Sequence, residues 1–400
     1  MTNDVYVGGL GCVSALGLNV KNQLDKLISA QSGLGNLSLF ETAHEVVVGE
    51  IKHSTREMCD MLGLRRDKEY SRTTVIGLMA AKEALADSGV NTSGLKIGLI
   101  SATSVGGMDV SELFYKEFIR DKNKGRLRQL IGHDCGASTQ FIEKQLGING
   151  FTTTINTACS SANNAIMMGT RMIKAGLLDG VIAGGTDSLC RFTINGFSSL
   201  GILDKEVCRP FDASRSGLNL GEGAGYLFLH SGRVKAAKSY CSVAGYANAN
   251  DAFHQTASSS DGEGAYLAMK GAIEMSGVDK NDIGYINVHG TGTPNNDASE
   301  GVAMERIFGE DIPDFSSTKG YTGHTLGAAG GIESLFSILG LYYGYVWPNL
   351  NFSNSILEAN LTPLTRCEKK IDMKGVMTNS FGFGGNCTSL VFKSINSDRL

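Results

Sequence analysis

The sequence predicts an α/β protein built from two similar halves, each a mixed sheet covered by helices and related to the other by a pseudo-two-fold. Three observations lead there. The 400 residues exceed the usual size of one compact domain. Apolar periodicity alternates between helix-like and strand-like stretches along the whole chain. Two stretches of the first half return in the second.

The first repeat pairs Ala84 to Val90 (ALADSGV) with Ala272 to Val278 (AIEMSGV). Each copy reads as the end of a helix, and a short polar turn follows it. An apolar strand comes next, Ile97 to Ser101 in one half and Tyr285 to Val288 in the other, and each ends in small residues that open onto a site. The second repeat pairs Thr157 to Gly176 with Gly323 to Gly344, where a turn of small residues opens a long helix. The wider spacing in the first half places an insertion at about Val105 to Asn149. The halves are then 1–235 and 236–400, with the boundary near Ser231 to Tyr240. Two helices entering from equivalent positions meet at the centre, which brings the turns at Cys159 and His324 together.

Composition excludes several classes. An apolar share of 42% supplies a large core, and 52 Gly against five Pro fit tight turns rather than linkers. A net charge of −4 gives no basic field for a nucleic acid. Nine scattered Cys with no CxxC spacing indicate neither a disulfide framework nor a zinc knuckle, and fit a reducing cytoplasm. Met1 to Asp4 lead straight into the strand-like Val5-Tyr6-Val7 with no secretory pattern. The apolar run Gly327 to Trp347 contains Glu333 and several Gly, so it reads as a buried helix and not a membrane span.

Cys159 sits in Asn156-Thr157-Ala158-Cys159-Ser160-Ser161, after a strand and at the start of a helix. Free N–H groups and the helix dipole there favour thiolate, so the expectation is a lowered thiol pKa and an armed nucleophile. His289 ends an apolar strand and is followed by Gly290-Thr291-Gly292-Thr293; His324 opens the second repeat helix among Gly and Ala. Taken singly, each of the three is as readily structural. One Cys and two His, each in a small-residue turn at the end of a repeat element, are hard to produce by packing alone. The other His, including His254, carry no assignment. Met377 to Asn386 form a glycine-interleaved loop with Phe381 and Phe383, which alternation sends to opposite sides. Its N–H groups, with that of Cys159, suit an oxyanion hole.

These motifs resemble the elongating β-ketoacyl-acyl carrier protein synthases. TACSSA from Thr157, RPFDASRSGLNLGEGAG from Arg209, HGTGTPNND from His289, KGYTGHTLGAAGGIE from Lys319 and NSFGFGG from Asn379 run in family order across nearly the whole chain. The resemblance implies a thiolase-like, five-layered αβαβα fold. It also implies that Cys159 takes an acyl group as a thioester, and that the N–H groups of Cys159 and Phe383 form the oxyanion hole. His289 and His324 would stabilise the enolate left when malonyl-carrier protein loses carbon dioxide. Lys319 and Glu300 would pair and orient His324, and Phe381 and Phe383 would gate the acyl pocket. Asn287, Glu333 and Asn379 would hold a structural sodium or potassium ion, with no other cofactor required. The implied partners are acyl- and malonyl-loaded carrier proteins and a second subunit, identical or related.

Carrier proteins are acidic. The basic clusters available to meet one are Arg65, Arg66 and Lys68, and Lys124, Arg126 and Arg128. The stretch Leu189 to Phe197 and Asn295-Asn296-Asp297 are similar to condensing enzymes of aryl polyene or related pigment pathways. One departure stands out: the family continues GGTN where this chain has Gly384-Gly385-Asn386-Cys387, which changes the hydrogen bonds that hold the loop. A degradative thiolase, with Cys387 as its second cysteine, is opposed by HGTGT. A non-catalytic chain-length partner is opposed by the presence of Cys159, both His and Lys319.

Overall fold

The structure, a computed structural model, describes residues 4–356 and 361–395. Of the opening segment Met1 to Asp4, only Asp4 falls within them. Ten strands make the main sheet: β1 (Val5–Ser14), β2 (Ile97–Ala102), β3 (Thr152–Ile155), β4 (Gly180–Asp187), β5 (Gly223–Ser231), β6 (Cys241–Asn250), β7 (Ile283–Asn287), β8 (Asp314–Ser316), β9 (Gly375–Gly382) and β10 (Asn386–Lys393). Their order is β3-β2-β4-β5-β1-β6-β10-β9-β7-β8, which reads as the same five-strand pattern twice, back to back. In each half the outer three strands run parallel and the inner two antiparallel. The halves join at a narrow seam where Tyr6 faces Ser242 and Val7 faces Cys241.

Seven helices position the site: α1 (Arg72–Ser88), α2 (Met108–Phe118), α3 (Cys135–Leu146), α4 (Ser161–Lys174), α5 (Glu263–Ser276), α6 (Pro294–Phe308) and α7 (Ala329–Tyr343). The first repeat is α1 and α5, each ended by a left-handed glycine, Gly89 (φ 60°) and Gly277 (φ 63°). They cover the outer faces, α1 on β1 and β5, and α5 on β6 and β10. The second repeat is α4 and α7, which touch each other and pack between the two half-sheets. The layers are therefore α, β, α, β, α.

Close packing sets the central layer. A Cβ on Gly225 of β5 would meet the Ile332 N of α7 at 2.4 Å, and one on Gly330 would meet the Asn163 Oδ1 of α4 at 2.6 Å. Only hydrogen fits at these crossings. Nearly every side chain of α7 is buried, and Trp347 beyond it donates to the Phe336 carbonyl at 2.9 Å. The apolar run is thus an internal helix, and among the described residues no helix is long and apolar enough to cross a membrane.

The extra segment of the first half is shorter than the spacing of the repeats suggests. Helix α3 lies in the connection from β2 to β3, as α6 does from β7 to β8, so it is a counterpart and not an addition. The surplus is α2 and the turn at Leu127–Leu130.

Candidate active site

Cys159 follows β3 on a turn that bonds to itself. Thr157 N donates to Ser161 Oγ at 2.8 Å, Ser160 Oγ to the Thr157 carbonyl at 2.8 Å, and Ser161 Oγ to the Ala158 carbonyl at 2.5 Å. Ala158 takes a left-handed conformation, φ 54°, as the chain reverses into α4. His289 follows β7, and its backbone N–H and that of Gly290 donate to Glu300 of α6 at 2.9 and 2.8 Å. The backbone of His324 is clamped by the Asn219 to Gly221 stretch: its N–H donates to Asn219 O at 2.7 Å, and Gly221 N donates to its carbonyl at 2.9 Å.

The three side chains converge. Cys159 Sγ and one ring nitrogen from each histidine lie within 4.8 Å of one another, all buried. His324 Nε2 is 3.0 Å from Sγ, and the two imidazoles meet edge to face with centroids 5.4 Å apart. They line a cavity of about 340 Å³ with Phe381, Phe383, Phe197, Thr291 and Thr293.

Proton positions follow from the partners. The Leu326 N–H donates to His324 Nδ1 at 3.3 Å, and the Lys319 ammonium faces His289 Nδ1 at 3.4 Å. Each Nδ1 therefore accepts, and each neutral ring carries its hydrogen on Nε2. Burial and the Lys319 charge hold both imidazoles well below the usual histidine range, so they stay neutral at physiological pH.

The expected lowering of the thiol does not appear. Burial pushes Cys159 up to about 11, against the opposing pull of the Lys319 charge and of the Phe383 N–H bonded to its sulfur. Desolvation of a fully enclosed thiolate outweighs what the helix start offers. The sulfur rests as a thiol with the donors for its thiolate already in place.

Lys319 does not pair with Glu300. Its Nζ lies 2.5 Å from Glu333 Oε1 and 2.5 Å from the His289 carbonyl, so it supports His289 rather than His324. Glu300 is occupied by two backbone N–H groups and by Asn379 Nδ2 at 3.0 Å. Desolvation raises both carboxyls to about 7.

The three residues expected at a monovalent cation divide. Glu333 Oε2 is buried with no hydrogen-bond partner among the described residues, which fits a cation; Asn287 turns its amide nitrogen to the Glu333 carbonyl at 3.5 Å and its oxygen accepts from the Thr318 hydroxyl at 3.4 Å, so it fits less well. Asn379 does not fit, because its oxygen accepts from Ser389 Oγ at 2.8 Å and its amide serves Glu300.

Phe381 and Phe383 both line the cavity, although alternation separates them. Phe381 packs on His289 with centroids 5.7 Å apart, and Phe383 stacks on Phe197 at 5.8 Å. The basic clusters lie on the surface. Arg65 is paired with Asp67, Arg66 with Asp60, and Lys124 is 3.9 Å from Asp121, while Lys68, Arg126 and Arg128 are exposed. Gln129 Nε2 donates to Glu69 Oε1 at 3.1 Å, which makes the two clusters neighbours.

Sequence reasoning gave no role to Phe197 and His254, which line the cavity, and marked Asn386 only as a departure from the family pattern. For Asn386 the break in the GGTN pattern was a usable signal. For the other two, ordinary context gave none.

Comparison with known proteins agrees with this geometry. The family described as Beta-ketoacyl synthase, N-terminal domain, matches residues 2–234, and Beta-ketoacyl synthase, C-terminal domain, matches residues 240–353. The 3-oxoacyl-[acyl-carrier-protein] synthase 2 of Staphylococcus aureus (strain COL) is 32% identical over 412 residues, covering 98% of this chain and 99% of that one. The ishigamide ketosynthase/chain length factor superposes with a TM-score of 0.91 at 25% identity, covering 98% of this chain and 99% of the other. A chain of the complex between the ketosynthase ApeO and its chain length factor ApeC from Xenorhabdus doucetiae gives a TM-score of 0.86 at 31% identity, with 98% of each chain covered. With its fold, its motifs and its converged Cys159, His289 and His324, the chain belongs to the β-ketoacyl synthase family.

Proposed function

We propose that this chain is a β-ketoacyl-acyl carrier protein synthase that extends an acyl group held on Cys159 by two carbons from a malonyl-carrier protein. The observation that carries the reading is the pair of Nε2–H donors beside one sulfur, both fixed by acceptor roles at Nδ1. Cys159 Sγ attacks the acyl thioester of the carrier, a carbon–sulfur bond forms, and the carrier thiol leaves with the proton. The oxygen of that tetrahedral intermediate is held by the N–H groups of Cys159 and Phe383. The malonyl group of a second carrier protein then enters the cavity, which Thr291 and Thr293 line.

Its thioester oxygen lies between the two imidazoles. As the bond to the carboxylate breaks, the electron pair moves onto that oxygen, and the two N–H groups stabilise the enolate. Neutral donors suit this step, because a charged imidazolium would have to be desolvated. The enolate carbon attacks the acyl carbonyl on Cys159, a carbon–carbon bond forms, and the sulfur leaves as thiolate. The Phe383 N–H and the Lys319 charge offset the cost of that thiolate. Phe381 and Phe383 act as the gate between cavity and acyl pocket.

The neighbouring basic clusters, with Arg126 and Arg128 exposed, form the landing surface for an acidic carrier. A second subunit, identical or related, completes the working form, as the similarity to a ketosynthase solved with its chain length factor supports, and the polyene or pigment pathway rests on the Leu189 to Phe197 and Asn295-Asn296-Asp297 stretches. A sodium or potassium ion beside Glu333 Oε2 is the one cofactor proposed, and the reaction belongs in the cytoplasm. The test is incubation with an acyl-carrier protein and a malonyl-carrier protein. A carrier-bound β-ketoacyl product two carbons longer, with carbon dioxide released, supports the assignment. Acyl transfer to free coenzyme A without use of malonyl overturns it in favour of a thiolase.

A further inference from the structure

Asn386 departs from the family pattern, and its side chain has an unusual load. Its Oδ1 accepts three hydrogen bonds: from Ser160 Oγ at 2.7 Å, from Asn164 Nδ2 at 2.9 Å and from Asn248 Nδ2 at 2.8 Å. Ser160 is the residue after the nucleophile, Asn164 lies in the first turn of α4, and Asn248 belongs to β6. Asn164 Nδ2 also reaches Thr157 Oγ1 at 2.8 Å, so one amide oxygen closes a ring around the nucleophile turn. Asn248 and Thr388 bond to Asn164 Oδ1 at 3.0 and 2.9 Å, which leaves the network with no orphan on its inner side.

Asn386 is also the far end of a hairpin. It pairs with Gly382 across the turn that carries Phe383. Gly382 lies directly on the nucleophile turn, since a Cβ there would stand 2.7 Å from Thr157 O and 3.1 Å from Cys159 N. The hairpin is therefore pressed onto the turn at one end and hydrogen-bonded to it at the other. Between the two anchors sits the Phe383 N–H, bonded to the sulfur.

We infer that Asn386 is a positioning residue whose side-chain oxygen locks the 381–386 hairpin to the nucleophile turn and so keeps the Phe383 N–H on the Cys159 sulfur and on the oxygen that develops beside it, a role that rests on the condensing-enzyme reading. The residue touches no reacting atom. Removing the oxygen frees the hairpin to swing as a gate without the register that acyl transfer needs.

The test is alkylation of Cys159 by iodoacetamide, followed on its own peptide by mass spectrometry from about pH 6 to about pH 10, together with steady-state condensation. Asn386→Leu is expected to slow alkylation about tenfold at neutral pH and to move its pH profile upward by about one unit. It is also expected to lower kcat about tenfold or more while the KM for malonyl-carrier protein stays within about twofold. Asn386→Asp keeps an acceptor for all three donors and is expected to stay within about threefold of wild type in kcat. An Asn386→Leu profile that superposes on wild type overturns the inference, as does equal damage from Leu and Asp. Should the Leu variant not fold, Asn248→Ala removes one donor at an exposed site and must shift the profile in the same direction by a smaller amount; no shift there overturns the inference. Alkylation needs no carrier protein. A wild type that never condenses but shows the Asn386 effect sinks the enzyme reading alone, and a condensing wild type without the effect sinks the clamp alone.

Discussion

The turn before α4 and the turn before α7 occupy equivalent places in the two halves and share a backbone device. Ala158 and Leu326 each stand three residues before their helix, with φ of 54° and 53°, a conformation that side chains other than glycine rarely adopt. The next residue differs. In the first half it is Cys159, whose sulfur enters the cavity; in the second it is Gly327, where a Cβ would meet Asp187 Oδ2 at 2.8 Å and Ser104 N at 3.0 Å. Asp187 fills that place, accepting the Gly327 N–H at 2.7 Å and four further donor contacts from Ser104 and Val105. A duplicated scaffold thus offers two nucleophile positions, and one is closed by a buried carboxylate. What the second turn contributes instead is His324, placed earlier in the turn with its Nδ1 capped by the Leu326 N–H.

Substitutions in the two turns and their supports should differ in cost. The largest effect belongs to the imidazole. His324→Ala is expected to lower malonyl decarboxylation about 10³-fold, measured as carbon dioxide release, because it deletes one of two preorganised donors. Loss of less than about tenfold would mean that the second turn is scaffold only. Next comes Lys319, the support of His289. Lys319→Met leaves Glu333 buried without its cation and His289 Nδ1 without a donor, so unfolding stability should fall by about 3–5 kcal/mol in denaturant titration, along with decarboxylation.

The shared backbone device gives the sharpest contrast. Leu326→Gly relieves the strained φ but removes a buried side chain, for a net loss of about 2–4 kcal/mol. Ala158→Gly relieves the same strain with one methyl at stake, so its stability should change by less than about 1 kcal/mol in either direction. Equal losses at both sites would show that the two turns are not the same device.

The smallest effect concerns pH. With the thiol pushed up to about 11, its thiolate fraction rises about tenfold per pH unit throughout the neutral range, and alkylation of Cys159 should climb with that slope and reach no plateau below about pH 9. A plateau near neutrality would restore the lowered thiol expected from the helix start.

How much of this was legible in the chain depends on range. The two repeats and the small-residue turns are local patterns, and they located the halves, the central helices and the meeting of Cys159 with His289 and His324. The partner of Lys319 was not local. Glu300 lies upstream of Lys319 and Glu333 downstream, and only the packing of α6 turns Glu300 toward the His289 backbone while α7 aims Glu333 inward. Burial depth was equally invisible, which is why the helix start was read as dominating the thiol. The load on Asn386 required two distant segments, one carrying Ser160 and Asn164 and the other Asn248, whose proximity no spacing reveals.

Whether the sulfur on the first turn is the acceptor is settled by intact-mass measurement after incubation with a panel of acyl-carrier proteins. Wild type is expected to gain one acyl adduct and Cys159→Ala none. An adduct that persists on the variant would contradict Cys159 as the acceptor.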